Sequence, residues 1–547
     1  MARALNIVIV GGGSAGWMSA AAFARALDPG RYRMTLVESE EIGTVGVGEA
    51  TLPHIKTFND QLGIDEAQFM RETRATFKLG IEFRHWGEPG DRYMHPFGVF
   101  GEPWGGVDFQ HHWIRARQLG QPVAPFEEYS YAIAACRRNS FEFPHQDRKS
   151  VLATYAYAYH FDAGLYADFL RRWAIRRGVR RIEGQVRDIA LDPSGAIESL
   201  SLHSGARIEG DLFIDCTGFR SLLLGSKLGV QWEDWSRWLP CDRAWAVPCE
   251  RAGEFTPYTR STAQTGGWIW RIPLQHRTGN GYVFASRFIG DEQARDSLLG
   301  QLDGAPIAEP RLLRFKPGRR VQAWMRNCVA IGLASGFLEP LESTSIFLIQ
   351  AAISDLLRLM PAPERGRAVD PRLADEFNRL SDIQYARVRD FLILHYFANR
   401  RYGEPLWDYV RSMPIPDTLA HKISLFEARA HVPYYKDGLF SRDSWLAVLF
   451  GQGLRPRAHD RLADSLNGQQ LEQLLRWLHQ AIASNVTTMP SHAEFIERYC
   501  ADEKSAREIG KPSTSSLAAT ITATDLEVES LAKANVTLQS PGAITLS

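Results

Sequence analysis

Cysteine is scarce and scattered: Cys136, Cys216, Cys241, Cys249, Cys328 and Cys500 are the only six in 547 residues, and none forms a CxxC pair. That spacing argues for buried free thiols and against a disulfide scaffold, a thiolate metal site or a redox pair. Excess charge of either sign is also missing, because 63 Lys and Arg balance 63 Asp and Glu. Nothing in the composition therefore drives binding to nucleic acid or to an anionic membrane. No apolar run approaches the length of a membrane span, and a core strand begins at Leu5 with no room before it for a cleavable leader, so a cytoplasmic protein is expected. No repeat of solenoid type is present. What remains is an ordinary globular composition in a chain longer than one core usually holds, which predicts two packed modules.

The first stretch with chemical content is Leu5 to Glu38. An apolar run, Leu5 to Val10, has the length of a buried parallel strand and ends on Gly11, Gly12 and Gly13. Gly11 permits a sharp turn, Gly13 lets backbone N–H groups approach a pyrophosphate, and Gly16 lets the following helix pack on the strand. That helix, predicted from about Ala15 to Leu27, points its positive end at the phosphates. The next strand, Met34 to Val37, ends on Glu38, whose carboxylate can accept ribose hydroxyls and would repel a ribose phosphate. FAD or NAD is favoured over NADP.

Downstream, Ile42 to Pro53 (IGTVGVGEATLP) is read as a glycine-rich loop without regular structure, laid against a flat cofactor with Glu49 and Thr51 beside it. In residues 71–86, Phe77, Leu79, Ile81 and Phe83 alternate as on a half-buried strand, which turns Lys78 to the opposite face; an ordinary surface lysine is the alternative. His95, Pro96 and Phe97, with Trp104 and His111 to Trp113, suggest a loop region able to line a pocket for a flat apolar ligand, or simple core packing. Asp162 to Gly178 reads as a helix, Val179 to Leu212 as a meander turning at Pro193 to Gly195, and Asp211 to Ser221 as a buried strand returning beside the first unit. Residues 266–285 read as a hairpin with a turn at Thr278 to Gly281. Residues 328–346 repeat the strand, glycine turn and helix order of the N-terminus and carry Glu339 and Glu342 beside Ser343, Thr344 and Ser345. From Phe347 to Tyr499 the pattern is mostly helical, and past Cys500 the chain becomes polar and Ser/Thr/Ala-rich, as a mobile tail would be.

Taken in order, GGGSAG (11–16), TVGVGEATLP (44–53), FKLGIEF around Lys78, WIWRIP (268–273) and LEPLESTS (338–345) resemble the flavin-dependent halogenases of the tryptophan halogenase family, over nearly the whole chain to about residue 500. The WxWxIP signature is the specific one. The fold this implies is α/β (α+β overall): a two-dinucleotide-binding-domain, flavoprotein monooxygenase-like FAD module over 1–346, with substrate-side loops inserted around 85–150, a mainly helical substrate module over 347–500, and the tail, 501–547.

The resemblance implies a two-site reaction. Reduced FAD, supplied by a separate NADH-dependent flavin reductase, and oxygen convert chloride or bromide into hypohalous acid, which crosses an internal tunnel to an aromatic substrate. Lys78 matches the lysine that captures the oxidant, either as a haloamine or through a hydrogen bond. Glu342 matches the glutamate that orients the oxidant or removes the ring proton, and Ser343 supports it. Thr344 and Ser345 match the halide-holding positions. Gly11, Gly13, Ser14, Ala15, Gly16, Glu38, Val47, Gly48, Glu49, Ala50, Leu333 and Phe337 are assigned to the cofactor. Trp268, Trp270, Ile272 and Pro273 form the tunnel wall, and His95, Pro96, Phe97, Tyr434, Tyr435 and Trp445 the substrate pocket.

Chemistry agrees with the assignment. Free hypohalous acid attacks methionine, cysteine and tryptophan, so flavin and substrate should be kept apart, with one amine at the exit. Burial disfavours the ammonium form of such a lysine and makes it more nucleophilic. Free-tryptophan enzymes of the family follow the tyrosine pair with a carboxylate, but six residues after Tyr435 this chain has Ser441. An indole-like substrate without an amino-acid group is therefore preferred. A flavin-dependent aromatic hydroxylase and a non-catalytic FAD-holding binding protein are the alternatives, and the chain is read as a monomer or homodimer with no metal.

Overall fold

The computed structural model describes residues 4–41, 48–147, 150–253, 255–435, 438–502 and 509. Val47 and almost all of the expected tail lie outside the described residues.

The N-terminal unit forms as its spacing predicts: β1 (Leu5–Val10), α1 (Ser14–Ala26) and β2 (Tyr32–Glu38), with β1 and β2 parallel and Leu5 opposite Tyr32. Strand Leu212–Asp215 returns on the other side of β1, also parallel, and Cys328–Ala330 follows it. The six-stranded sheet runs Trp324–Met325, Cys328–Ala330, Leu212–Asp215, β1, β2, Arg180–Glu183. Its last member was expected in the meander. It pairs with β2 instead, and the three-stranded antiparallel layer contains only Val186–Leu191, Ile197–Leu202 and Arg207–Glu209.

A second, seven-stranded sheet orders Arg311–Arg314, Arg243–Cys249, Thr278–Phe284, Gly267–Pro273, Thr259–Gln264, Gly80–Arg84 and Arg92–Pro96. Within it the hairpin differs from expectation. Thr278 to Gly281 lie inside a strand, and the turn is Leu274 to Arg277. The glycines there serve close approach: a Cβ on Gly281 would stand 2.1 Å from the Trp270 ring. The glycine-rich stretch expected to be irregular contains strand Gly48–Ala50, paired with Ala158–Asp162, which in turn pairs with Thr76–Lys78. His95 and His111 to Trp113, expected in loops, sit on strand Arg92–Pro96 and helix Phe109–Gln118.

Beyond Thr344 the main elements are helices: Ser345–Arg358, Pro371–Phe397, Pro405–Ser412, Asp417–Arg429, Arg442–Gly451, Gly468–Val486 and His492–Ala501. The expected boundary at 346 falls inside helix Ser345–Arg358. Ile346, Ile349 and Ile353 of that helix share one apolar core with Trp17 and Met18 of α1 and with Phe391 and Leu446 further on. That shared core ties the helices to the first sheet through burial of large side chains, the dominant stabilising term. Among the described residues no helix is long and apolar enough to cross a membrane. All six cysteines are free, and all but Cys500 are buried.

Candidate active site

Lys78 ends strand Thr76–Lys78 and is fully buried, at 0% exposure. The run expected as one strand is two, Thr76–Lys78 and Gly80–Arg84, in different sheets, and neither face of the first meets water: Phe77 stacks on Phe141 at 3.9 Å, while Lys78 faces an internal polar site. The Lys78 Nζ donates to the Ser343 hydroxyl at 2.8 Å and to the Thr51 carbonyl at 3.0 Å, and it lies 5.0 Å from the centre of the Phe97 ring. Burial lowers its pKa to about 7, with Glu342 opposing that shift. A neutral amine that spends both N–H bonds on these acceptors keeps its lone pair for the remaining tetrahedral direction.

Glu342 closes the 3-10 turn Pro340–Glu342 and is likewise 0% exposed. Each carboxylate oxygen meets an imidazole: His95 Nδ1 at 2.8 Å from Oε2, and His395 Nε2 at 2.8 Å from Oε1, the latter off hydrogen-bond alignment. Burial alone would raise this carboxyl, but the two histidines outweigh it and bring it down to about 2. The far side of His395 is fixed as well. Tyr93 Oη lies 2.8 Å from His395 Nδ1, and the Gln452 amide donates to Tyr93 Oη at 3.2 Å and to the His395 carbonyl at 2.9 Å. With Gln452 donating to Tyr93, the Tyr93 hydroxyl donates to Nδ1, which assigns the His395 proton to Nε2, facing Glu342. Sequence reasoning placed His95 in the substrate pocket and missed His395, Tyr93 and Gln452. Their only signal was polar side chains within apolar runs such as FLILHYF.

Ser343 adopts a left-handed backbone at φ 59°, a conformation that costs a non-glycine residue energy and concentrates at functional sites. The bend delivers Thr344 as the N-cap of helix Ser345–Arg358. Thr344 Oγ1 is buried with no partner among the described residues, and no side chain caps that helix start. An orphan hydroxyl beside free helix-terminal N–H groups suits a small anion, and halide fits it.

On the cofactor side, Gly11 has φ 111°, and a Cβ there would stand 2.2 Å from the Cys216 carbonyl oxygen. Gly13 opens onto free space at the start of α1, where no side chain caps the first-turn N–H groups. Glu38 lies against Gly12 and is held by the Trp17 indole at 3.2 Å and by Arg181. A carboxylate has acceptor capacity beyond those two bonds. The second turn, Gly332–Ala334, approaches Ala15 so closely that a Cβ on Gly332 would stand 2.9 Å from the Ala15 Cβ. Leu333 is on that turn, and Phe337 just beyond it meets Phe219 edge-on. Burial, without a compensating charge, raises the Glu49 carboxyl to about 7. These features fit a dinucleotide.

Strand Gly267–Pro273 links the two sides. Trp268, Trp270 and Ile272 share one face by the pleat, and Pro273 falls on the other, where its carbonyl accepts from Thr76. At one end of the face the Trp268 indole donates to Glu339 at 3.4 Å; at the other, a Cβ on Gly48 would touch Ile272 at 3.5 Å. Glu339 also accepts from Tyr396 at 2.9 Å, and burial raises its carboxyl to about 7.

The expected substrate residues separate. His95 and Phe97 stand at the Glu342 and Lys78 groups, with Pro96 between them on the chain. Trp445 meets Phe391 edge-on at 4.9 Å, Phe391 stacks on Phe440 at 3.8 Å, and both phenyl rings approach His95 at 5.6 and 6.0 Å. Tyr435 is 37% exposed, and Tyr434, at 86%, stands out in solvent away from the buried groups. Ser441 caps helix Arg442–Gly451, accepting from the Ser444 N–H.

A dinucleotide cradle joined by a tryptophan-bearing strand to a buried lysine and glutamate defines a flavoprotein-type fold with a second, internal reaction site. The Tryptophan halogenase family model matches residues 6–468. The chain is 36% identical to tryptophan 6-halogenase SttH of Streptomyces toxytricini, over 90% of its own length and 97% of that protein. Its structure superposes on Xcc4156, a flavin-dependent halogenase from Xanthomonas campestris, at 46% identity and TM-score 0.87, covering 91% of this chain and 99% of that one. BrvH, a flavin-dependent halogenase from Brevundimonas sp. BAL3, gives 45% identity and TM-score 0.86 over 90% and 99%. The chain belongs to the tryptophan halogenase family and is a flavin-dependent halogenase. Membership implies the use of flavin and halide.

Proposed function

We propose that Lys78 delivers hypohalous acid to an electron-rich aromatic substrate, an indole or indole derivative, with Glu342 as orienting group and proton acceptor. The observation that carries this reading is that Lys78 and Glu342 are both fully buried and share one site, Lys78 held by Ser343 and Glu342 by two histidines. FAD, reduced by a separate NADH-dependent flavin reductase, supplies with oxygen the oxidising equivalents that turn halide into hypohalous acid. Gly13 and the first turn of α1 would hold its pyrophosphate, and Glu38 a ribose. Thr344 and the start of helix Ser345–Arg358 would hold the halide.

The strand bearing Trp268 and Trp270 keeps the substrate away from the cofactor. Lys78, with an amine close to half neutral near pH 7, either takes the halogen, releasing water, or holds the oxidant as a hydrogen-bond donor. At the ring a carbon–halogen bond forms and a carbon–hydrogen bond breaks. Glu342, kept ionised by His95 and His395, accepts that proton. The substrate pocket is assigned to the helices carrying Phe391 and Trp445 together with Phe97.

The test is mass spectrometry of indole incubated with the protein, FAD, a flavin reductase, NADH, air, bromide and catalase. A product with the bromine twin-isotope pattern, absent with Lys78→Ala, is expected. Hydroxylated indole without bromine would overturn the reading in favour of an aromatic hydroxylase.

A further inference from the structure

Lys422, in the middle of helix Asp417–Arg429, is only 4% exposed. A buried ammonium ordinarily sits beside a carboxylate, because desolvation without compensation is costly. Here the Nζ lies 3.6 Å over the Trp445 ring and 4.5 Å over the Tyr435 ring, and no acceptor among the described residues takes its N–H groups. Asp390 is the acid that acts on it electrostatically, but its oxygens are already bound by Arg389 at 2.7 and 3.0 Å and by Thr418. A second cation reinforces the imbalance. Arg387 lies 4.8 Å over the same Tyr435 ring, its Nη1 is buried without a partner among the described residues, and its charge disfavours the ammonium of Lys422. Cation–π contacts offset part of the desolvation, yet they leave Arg387 Nη1 without an acceptor among the described residues.

The pair stands at the outer end of an aromatic run. Trp445, Phe391 and Phe440 lead from Lys422 to His95, which holds Glu342. A flat substrate with its reacting carbon at Glu342 would extend along those rings, and a substituent on its far side would meet two cations. Ser441, a helix cap, offers no charge to an ammonium group.

We propose that Lys422 and Arg387 form a carboxylate-binding subsite, and that the natural substrate is an aromatic acid, a flat electron-rich ring carrying one anionic group. This rests on the substrate side assigned above, and it narrows the indole-like class proposed there to rings that carry an acid. The test uses the full-length, FAD-loaded protein and calorimetric titration with indole-3-acetate and its neutral isostere indole-3-acetamide, without halide or reductase. The acetate should bind roughly 10- to 100-fold more tightly, the scale of one or two charge-assisted hydrogen bonds. Lys422→Gln and Arg387→Gln should each cut that preference to less than about threefold; should Lys422→Gln fail to fold, Arg387→Gln alone decides. Equal binding of acid and amide, no measurable binding of the acid, or a preference that survives in both variants would overturn the proposal. Because the titration needs no turnover, its failure leaves indole bromination standing, and failure of bromination leaves the preference for the acid readable.

Discussion

Two buried lysines, at the two ends of one aromatic path, show how the same physics can be put to different uses. Burial lowers both, Lys78 to about 7 and Lys422 to about 8. Lys78 has its N–H bonds committed to the Thr51 carbonyl and the Ser343 hydroxyl, so its nitrogen is aimed and its remaining valence is free for a reagent. Lys422 rests on ring faces and commits none to an acceptor among the described residues. Desolvation sets the proton affinity in both places; the acceptors decide whether the amine is a positioned reagent or an adjustable anchor.

The contrast breaks most sharply at Lys78. Lys78→Ala should abolish halogenation, a loss beyond the roughly 10²–10⁴-fold typical of one proton-transfer group, while the flavin absorbance of the loaded protein stays. Full activity would remove the mechanism proposed here. Glu342→Gln should slow turnover by about two orders of magnitude, because the amide keeps the volume but accepts no ring proton. An unaltered kcat would place the base elsewhere. A smaller effect sharpens the electrostatic half of the comparison. Lys78 binds fewer protons folded than unfolded between pH 7 and its ordinary value near 10.4, so its burial costs less as pH rises. Lys78→Met should therefore exceed the wild type in unfolding free energy at pH 6 by roughly 2–3 kcal/mol more than it does at pH 9, read by denaturant titration at both. A gap independent of pH would mean that the lysine is not buried as an amine.

The cradle was legible because its signals are local. Glycines at 11, 13 and 16, an apolar strand before them and an acid at 38 fall within one stretch, and Gly11 and Gly16 each have a steric reason in the structure, a Cβ on either meeting a backbone carbonyl oxygen. Glycine misled where its reason lay far away: Gly281 makes room for Trp270 across the hairpin, so it resembled a turn residue from the sequence alone. The alternation around Lys78 predicts one strand, but the chain divides it into Thr76–Lys78 and Gly80–Arg84 in two different sheets, and the face that the alternation leaves open is covered by the segment carrying Ser343, 265 positions along the chain. His395 and Lys422 were silent for the same reason. Each is a lone polar residue in a helix, and the partners that give it meaning, Tyr93 and Glu342 for one, Tyr435 and Trp445 for the other, come from other elements. The tyrosine pair at 434 and 435 was found by resemblance, yet only Tyr435 meets the buried groups.

The left-handed bend at Ser343 has an evolutionary corollary. In the function proposed above, three successive side chains, Glu342, Ser343 and Thr344, would address three different reaction partners from one corner: the ring proton, the lysine and the halide. Their relative placement is set by three consecutive backbone positions, with Glu342 also held by His395 of helix Pro371–Phe397. A lineage could thus exchange the walls around Tyr435 and Trp445 to accept a new arene, by substitutions on separate helices, without retuning the reagent-generating corner. Under that proposal, substrate range and halogen transfer would be separable by substitution.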